Sequence, residues 1–154
     1  MNLTPCLWCS RYAQKIRINI AYFKLLNIRA NLNPNVVGAS NNPTKYGNKV
    51  LKWYISNNRP VTPINPNERL IEGLECVPNL SSLISNLNHA DVSVSVITPP
   101  KITKTILEEA KKLGIKKVWL QPGAEDTECQ DFANQAGIDL LSGGPCVLVD
   151  GPRL

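Results

Sequence analysis

From residue 36 onward, short runs rich in β-branched residues alternate with longer runs whose apolar residues recur at helical spacing. The clearest strand is predicted over residues 92–97, which read Val-Ser-Val-Ser-Val-Ile, because β-branched side chains suit a pleat better than a helix. The run over residues 102–113 has its apolar residues on one helical stripe and ends at Gly114. This alternation predicts βαβ units with right-handed crossovers and a parallel sheet covered on both faces.

The other elements are predicted by the same rules. Helices are expected over residues 45–57, from Ser81 or Ser82 through Leu87, and over residues 127–136; strands are expected at Val36-Val37 and over residues 61–64, 117–121 and 138–141. Residues 34–154 are therefore predicted to form a single doubly wound, Rossmann-like α/β domain with about five mostly parallel strands. Because proline cannot donate to a ladder, Pro34 predicts a first strand that is short or displaced.

Charge separates the first part of the chain from the rest. Residues 1–35 carry five basic side chains and no acidic one, whereas the remaining twelve Lys and Arg balance all twelve Asp and Glu. A neutral main body argues against a general nucleic-acid surface, and the absence of an 18-residue apolar stretch argues against a membrane span. Residues 1–33 are predicted to be an extension, either a targeting segment or a disordered one, which leaves cytoplasm and mitochondrion both open.

The cysteines favour an intracellular protein. There are five, an odd number at irregular spacing, which is typical of reduced thiols rather than of a disulfide framework. Cys6 and Cys9 form a C-x-x-C pair, but no second pair completes a set of four zinc ligands. No metal site is predicted.

The residues after the first strand resemble a phosphate-binding turn. Gly38-Ala39-Ser40 supplies a tight turn of small residues, and a helix is predicted to begin near Lys45. The free N–H groups of a helix start attract phosphate, Ser40 offers a hydroxyl and Lys45 a positive charge. A simple βα turn explains the same residues. The dinucleotide fingerprint is incomplete, since Ser40 replaces its second glycine and Asn65 stands where an acidic residue would hold the ribose.

Several short motifs occur together in an order that resembles a known family. They are Gly38-Ala39-Ser40, Asn42-Pro43, Tyr46-Gly47, Asn65-Pro66-Asn67, Thr98-Pro99-Pro100, Trp119-Leu120-Gln121-Pro122-Gly123 and Gly144-Pro145-Cys146. Over about residues 35–154 the chain resembles the small CoA-binding domain proteins of the YccU-like type. The same fold is similar to the CoA-binding domain of the succinyl-CoA synthetase alpha subunit.

The resemblance implies coenzyme A or an acyl-CoA as ligand and assigns roles along the chain. Residues 38–40 and the helix start at Lys45, Tyr46 and Gly47 would hold the pyrophosphate. Asn65 and Pro66 would lie along the adenosine. The remaining ligand-binding positions that the resemblance implies are Thr98, Pro99, Thr105, Gln121, Pro122 and Gly123. Counter-charges for the phosphates are expected among Lys45, Lys49, Arg69 and Lys101.

No catalytic constellation is predicted. His89, the one histidine, is expected in a solvated loop at the amino-terminal edge of the sheet. The ligase chemistry of the synthetase is not expected here, because its phosphorylated histidine lies in a second domain. Cys146 follows the last strand and is the one candidate for chemistry, by thiol–disulfide exchange with CoA; a small buried cysteine in a glycine-rich turn is the simpler interpretation.

The sequence thus favours a domain that binds CoA or acyl-CoA without evident catalytic machinery. Two alternatives remain open: an NAD(P)-dependent oxidoreductase, and a regulatory or interaction subunit of a CoA-using enzyme. Neither the oligomeric state nor a protein partner follows from these residues.

Overall fold

Five parallel strands form the centre of the computed structural model, which describes residues 33–86, 89 and 92–151. These strands are β1 (Asn33–Val37), β2 (Thr62–Ile64), β5 (Val92–Val96), β6 (Lys117–Leu120) and β7 (Asp139–Leu141). They lie in the order β2-β1-β5-β6-β7, and every neighbouring pair is parallel. The strands β3 (Leu70–Ile71) and β4 (Leu74–Glu75) form a separate antiparallel hairpin.

Helices cover both faces of this sheet. They are α1 (Tyr46–Ser56), α2 (Leu80–Leu83, continued by a 3-10 turn at Ile84–Asn86), α3 (Pro100–Lys112), α4 (Thr127–Gln135) and α5 (Val147–Asp150). One buried apolar cluster joins the sheet to α1 and α5, and a second joins it to α2, α3 and α4. The predicted doubly wound α/β fold with five parallel strands is confirmed.

The alternation along β5 explains how the two faces differ. Val92, Val94 and Val96 belong to the cluster with α3 and α4, so Ser93 and Ser95 face the side of α1 and α5. Both serines are buried. Their small side chains leave room on that face for the two large rings of its cluster, Tyr54 and Trp119.

The prediction that Pro34 shortens or displaces the first strand is wrong. Residues Asn33–Val37 pair with β5 over their whole length, with Pro34 opposite Ser93. The carbonyl of Val37 accepts from Ile97 on the β5 side, so Pro34, three residues earlier, has its nitrogen on the β2 side. Pairing with β2 begins only at Asn35. Because β2 does not pair with β1 at residue 34, the lack of an N–H in Pro34 costs no hydrogen bond of the sheet.

Other differences are local. The helix predicted from Ser81 or Ser82 begins instead at Leu80, because Asn79 caps it by accepting from the backbone N–H of Ser82 (2.8 Å). Neither the β3–β4 hairpin nor α5 was expected from the sequence.

Residues 1–32, with the Cys6–Cys9 pair and nearly all of the predicted extension, lie outside the described residues. Within the part that is described, no helix has the length and hydropathy needed to cross a membrane.

Candidate functional site

The strand order places a crevice between the carboxyl ends of β1 and β5. The chain leaves β1 toward α1 on one face and leaves β5 toward α3 on the other, so the strand order reverses between these two neighbours. Ligands of open α/β sheets bind at this point. Gly38 and Thr98 meet here, since a Cβ added to Gly38 would lie 3.3 Å from Cγ2 of Thr98. Gly38 has a φ of 87°, which permits the sharp turn out of β1.

The loop after β1 is shaped by its own polar side chains. The hydroxyl oxygen of Ser40 accepts from the N–H of Asn42 (3.1 Å), which leaves the hydroxyl proton of Ser40 available. Asn42 in turn accepts from both the backbone N–H and the hydroxyl of Thr44 (2.9 and 2.7 Å). These turns are local and need only residues within this loop.

Two asparagine side chains from outside this turn fix the direction of its peptides. Asn65 Nδ2 donates to the carbonyl of Ala39 and Asn48 Nδ2 donates to the carbonyl of Ser40, each at 2.8 Å. In a trans peptide the N–H points opposite to the carbonyl, and the described peptides contain no cis bond. The N–H groups of Ser40 and Asn41 therefore point away from the two asparagines. Neither N–H has an acceptor among the described residues.

The start of α1 adds further free donors. Lys45 is the residue before the helix and supplies no side-chain cap, and the N–H groups of Tyr46 and Gly47 have no acceptor within the described part of the chain. Gly47 lets the helix approach the turn, since a Cβ there would lie 2.0 Å from the carbonyl oxygen of Gly38. The predicted residues 38–40 and 45–47 are thus brought together. They form a loop and helix start with unpaired N–H groups, an arrangement suited to an anion.

Along β2, the structure gives Asn65 an internal role. Its Nδ2 bonds to Ala39, and its Oδ1 accepts from the N–H of Asn67 (2.8 Å). Pro66 is exposed beside it. A contact of these two residues with an adenosine stays a prediction.

On the β5 side, Thr103 holds the loop that contains Thr98 and Pro99. The Thr103 hydroxyl donates to the Thr98 carbonyl and lies 2.9 Å from the Thr98 hydroxyl, and Thr103 itself is fully buried. Thr105 differs, because it is exposed on α3 and donates to the carbonyl of Ile102. Thr103 was missed from the sequence, where nothing distinguishes it from Thr105.

The predicted residues after β6 serve mainly the interior and the next loop. Gln121 is buried; it donates to the hydroxyl of Ser95 (3.0 Å) and accepts from the N–H of Val147 (2.9 Å). Gly123 is exposed, as is Pro122, and the N–H of Gly123 donates to Glu125 (3.1 Å). Contacts of these residues with a ligand stay predictions.

Cys146 lies at the start of α5, where its N–H donates to Asp150 (2.8 Å) and its side chain is half-buried. The other two described cysteines are poor nucleophiles. Burial raises the pKa of Cys129 to about 11 and raises that of Cys76 above its ordinary value, which keeps both thiols protonated at neutral pH. Exchange between Cys146 and a ligand thiol stays a prediction.

The titratable side chains that the sequence singled out do not all lie at the crevice. The predicted counter-charges are all exposed: Lys45, Lys49, Arg69 and Lys101. His89 is exposed and its ring lies near Gly114, at the amino-terminal end of β6. Burial raises the pKa of Tyr54 to about 12, so its phenol stays protonated. The described residues include no group of three or more His, Cys, Asp or Glu side chains that could hold a metal.

Comparison with known proteins points to one family. The family described as CoA binding domain matches residues 35–152, which confirms the resemblance drawn from the motifs. A conserved hypothetical protein from Pyrococcus furiosus is 38% identical, with a TM-score of 0.70, over 77% of this chain and 98% of its own. A hypothetical protein from Pyrococcus horikoshii is 26% identical, with a TM-score of 0.72, over 92% and 90%.

The same fold occurs inside a larger protein. A dinucleotide-forming acetyl-coenzyme A synthetase from Candidatus Korarchaeum cryptofilum matches with a TM-score of 0.62 at 24% identity, over 77% of this chain and 27% of that one. At that identity the likeness concerns the fold alone.

Proposed function

The chain belongs to the CoA binding domain family, and from that premise we propose that it binds coenzyme A or an acyl-CoA at the crevice between β1 and β5. The observation that carries the proposal is the set of N–H groups at Ser40, Asn41, Tyr46 and Gly47 that have no acceptor among the described residues. Donors fixed in this way suit the pyrophosphate of the ligand, since they need no rearrangement to meet it.

Charge supports an anionic ligand at this end of the sheet. Residues 1–67 contain no acidic side chain, so the loop after β1 and the whole of α1 add only positive charge. Lys45 and Lys49 are exposed at the start of α1, where they reinforce the positive end of the helix dipole. The mechanism proposed is recognition, in which backbone donors and lysines hold the phosphates.

The adenosine is proposed to lie toward the end of β2, beside Pro66, and the pantetheine arm toward Thr98 and Pro99. Gly38 lets the turn after β1 lie close to Thr98, because a Cβ at residue 38 would lie 3.3 Å from Thr98 Cγ2. The ring of Tyr46, 62% exposed with Lys49 above it at 5.5 Å, offers an apolar surface at the edge of the crevice.

Calorimetric titration of the full chain with CoA tests the proposal, with NAD and NADP as parallel ligands. We expect CoA alone to bind and Lys45→Glu to weaken it about tenfold, because one reversed charge next to phosphate costs on the order of 1.4 kcal/mol. Lys112→Glu is the matched control, since Lys112 is exposed at the end of α3 that lies away from the crevice. The affinity of this variant for CoA should stay within about twofold of that of the unaltered chain.

Two results would count against CoA binding. A heat of binding on titration with NAD, and none with CoA, would favour an NAD(P)-dependent oxidoreductase instead. Equal weakening by Lys45→Glu and Lys112→Glu would show that attraction by overall charge, rather than this crevice, accounts for the binding.

A further inference from the structure

Two carboxylates at the β3–β4 hairpin contact the first loop and the first turn of α1: Glu68, just before β3, and Glu72, in the hairpin turn. Asn41 Nδ2 donates to Glu68 Oε2 (2.9 Å) and to the carbonyl of Leu70 (2.8 Å). Asn48 Nδ2 donates to Glu72 Oε1 (2.6 Å) as well as to the carbonyl of Ser40. Acidic side chains beside a site for phosphate need a physical reason, because their charge repels the ligand.

The position of Glu72 is set by the hairpin turn and by an ion pair with Lys52. Glu72 occupies a two-residue turn with Gly73, and their φ angles of 49° and 80° suit a type I′ hairpin. Ile71, the preceding residue, is fully buried in the cluster that contains α1. The Lys52 ammonium lies 3.3 Å from Glu72 Oε1. The turn and the Lys52 ion pair therefore place this carboxylate within hydrogen-bond distance of Asn48.

The Asn48 amide forms hydrogen bonds through its nitrogen but not through its oxygen within the described residues. Both of its Nδ2 partners are acceptors, so the direction of its amide follows from them. Its Oδ1 is left buried without a hydrogen-bond partner in the described part of the chain, and an unsatisfied buried polar atom is destabilising. Both donors of the Asn48 amide are thus used to join the Ser40 carbonyl to Glu72, while its oxygen contributes no hydrogen bond within the described residues.

We propose that Glu72 is a positioning residue, which acts through Asn48 to turn the Ser40–Asn41 peptide so that its N–H faces the ligand phosphate. The inference rests on the proposed function and deepens it. Glu72 orients the Asn48 amide, and the amide holds the Ser40 carbonyl. The N–H of Asn41 then points to the opposite side of the loop. The hairpin thereby sets the affinity of a site that it does not line.

Four variants of the full chain test the chain of contacts. Glu72→Ala removes the acceptor, whereas Glu72→Gln keeps an acceptor for Asn48 and removes the charge. Asn48→Ala removes the donor. Glu75→Ala changes an exposed carboxylate on the same hairpin and serves as the control. The first measurement is made without ligand: NMR order parameters of the Ser40 and Asn41 N–H vectors.

We expect order parameters of about 0.85 in the unaltered chain, in Glu72→Gln and in Glu75→Ala, and values below about 0.6 in Glu72→Ala and Asn48→Ala. The double variant Glu72→Ala/Asn48→Ala should have the same order parameters as either single variant, because both substitutions break the same contact. Unchanged order in Glu72→Ala, or additive loss in the double variant, would overturn the inference.

Titration with CoA is the second measurement. Glu72→Ala should weaken binding about tenfold, as for loss of one well-oriented hydrogen bond to a charged group, while Glu72→Gln stays within about threefold. Tighter binding by both variants would mean that Glu72 only repels the ligand, and would also overturn the inference. If the loop loosens as expected but the unaltered chain does not bind CoA, the proposed function fails while the positioning of the loop stands.

Discussion

Two loops at the same edge of the sheet have similar beginnings and opposite electrostatics. The loop after β1 starts with Gly38 at a φ of 87°, the loop after β6 contains Gly123 at 92°, and each leads into a helix. In the second loop, Glu125 accepts from the N–H groups of Gly123 and Gly143 (3.1 and 3.3 Å). Asp126 then caps α4 by accepting from Cys129 (2.8 Å).

In the first loop, no carboxylate of the described residues accepts from a backbone N–H. Its carbonyls are occupied by Asn48 and Asn65, its N–H groups at Ser40 and Asn41 are unpaired among the described residues, and α1 starts without a side-chain cap. A glycine turn before a helix is therefore not by itself suited to bind phosphate. What decides is whether the protein's own carboxylates already occupy the donors.

The largest effect is expected where the first loop touches its helix. Gly47→Ala would place a methyl group 2.0 Å from the Gly38 carbonyl oxygen and should destabilise the fold by about 3 kcal/mol. Gly123→Ala meets no atom within 4 Å and should cost only about 1 kcal/mol, from its positive φ. Urea unfolding of both variants measures the two losses in the free energy of unfolding. Equal losses would show that the two turns are under the same steric constraint.

The second prediction makes the first loop resemble the second. Lys45→Asp should cap α1 and raise stability by about 1 kcal/mol, yet weaken CoA binding more than tenfold by placing a carboxylate on the donors. Lys45→Asn is the matched variant, since it caps α1 without the charge and should weaken binding less. Thermal unfolding and calorimetry measure the two effects. Stronger binding by Lys45→Asp would contradict the comparison.

A smaller effect is expected from opening the second loop. Glu125→Ala removes the carboxylate that accepts from Gly123 and Gly143 and should lower the free energy of unfolding by about 1 kcal/mol. It should leave the CoA affinity unchanged, because Asp126 still caps the neighbouring helix. An altered affinity, measured by the same calorimetry, would mean that this loop belongs to the site.

The smallest effect concerns pH. The backbone N–H of Cys129 holds the pKa of Asp126 below its ordinary value of 3.8. The cap therefore stabilises the folded state above that value and is lost as the pH falls through the lowered pKa. Asp126→Ala should be less stable than the unaltered chain at pH 7, and this difference in the free energy of unfolding should shrink as the pH falls through the lowered pKa. A difference that stays unchanged in strong acid would remove the carboxylate from the explanation.

Much of this fold could be read from residue patterns. The Val-Ser-Val-Ser-Val run and the helical stripe ending at Gly114 are local signals, and both elements lie within two residues of their predicted bounds. The hairpin was missed because strands of two residues carry no periodicity, although Glu72-Gly73 is a turn signal. The error at Pro34 had another cause, since the harm done by a proline depends on which neighbour its nitrogen faces.

The candidate site was predicted less completely than the fold. The turn at residues 38–40 and the helix start at 45–47 were found, and the structure brings them together. Asn48 and Thr103 were missed, because each acts on a backbone carbonyl through a single hydrogen bond that no spacing reveals. Asn65 was predicted to contact the ligand, which stays a prediction, and the structure adds its bond to Ala39.

Periodicity, backbone freedom and charge are local properties, so residue patterns alone predicted the order of the main strands and helices along the chain, the glycine turns and the lack of acidic residues before Glu68. Which N–H groups of the crevice have no acceptor among the described residues depends on the folded chain. That outcome depends on Asn48, Asn65 and Glu72 meeting the loop from different elements, and hydrogen bonds between distant segments exist only once the chain has folded.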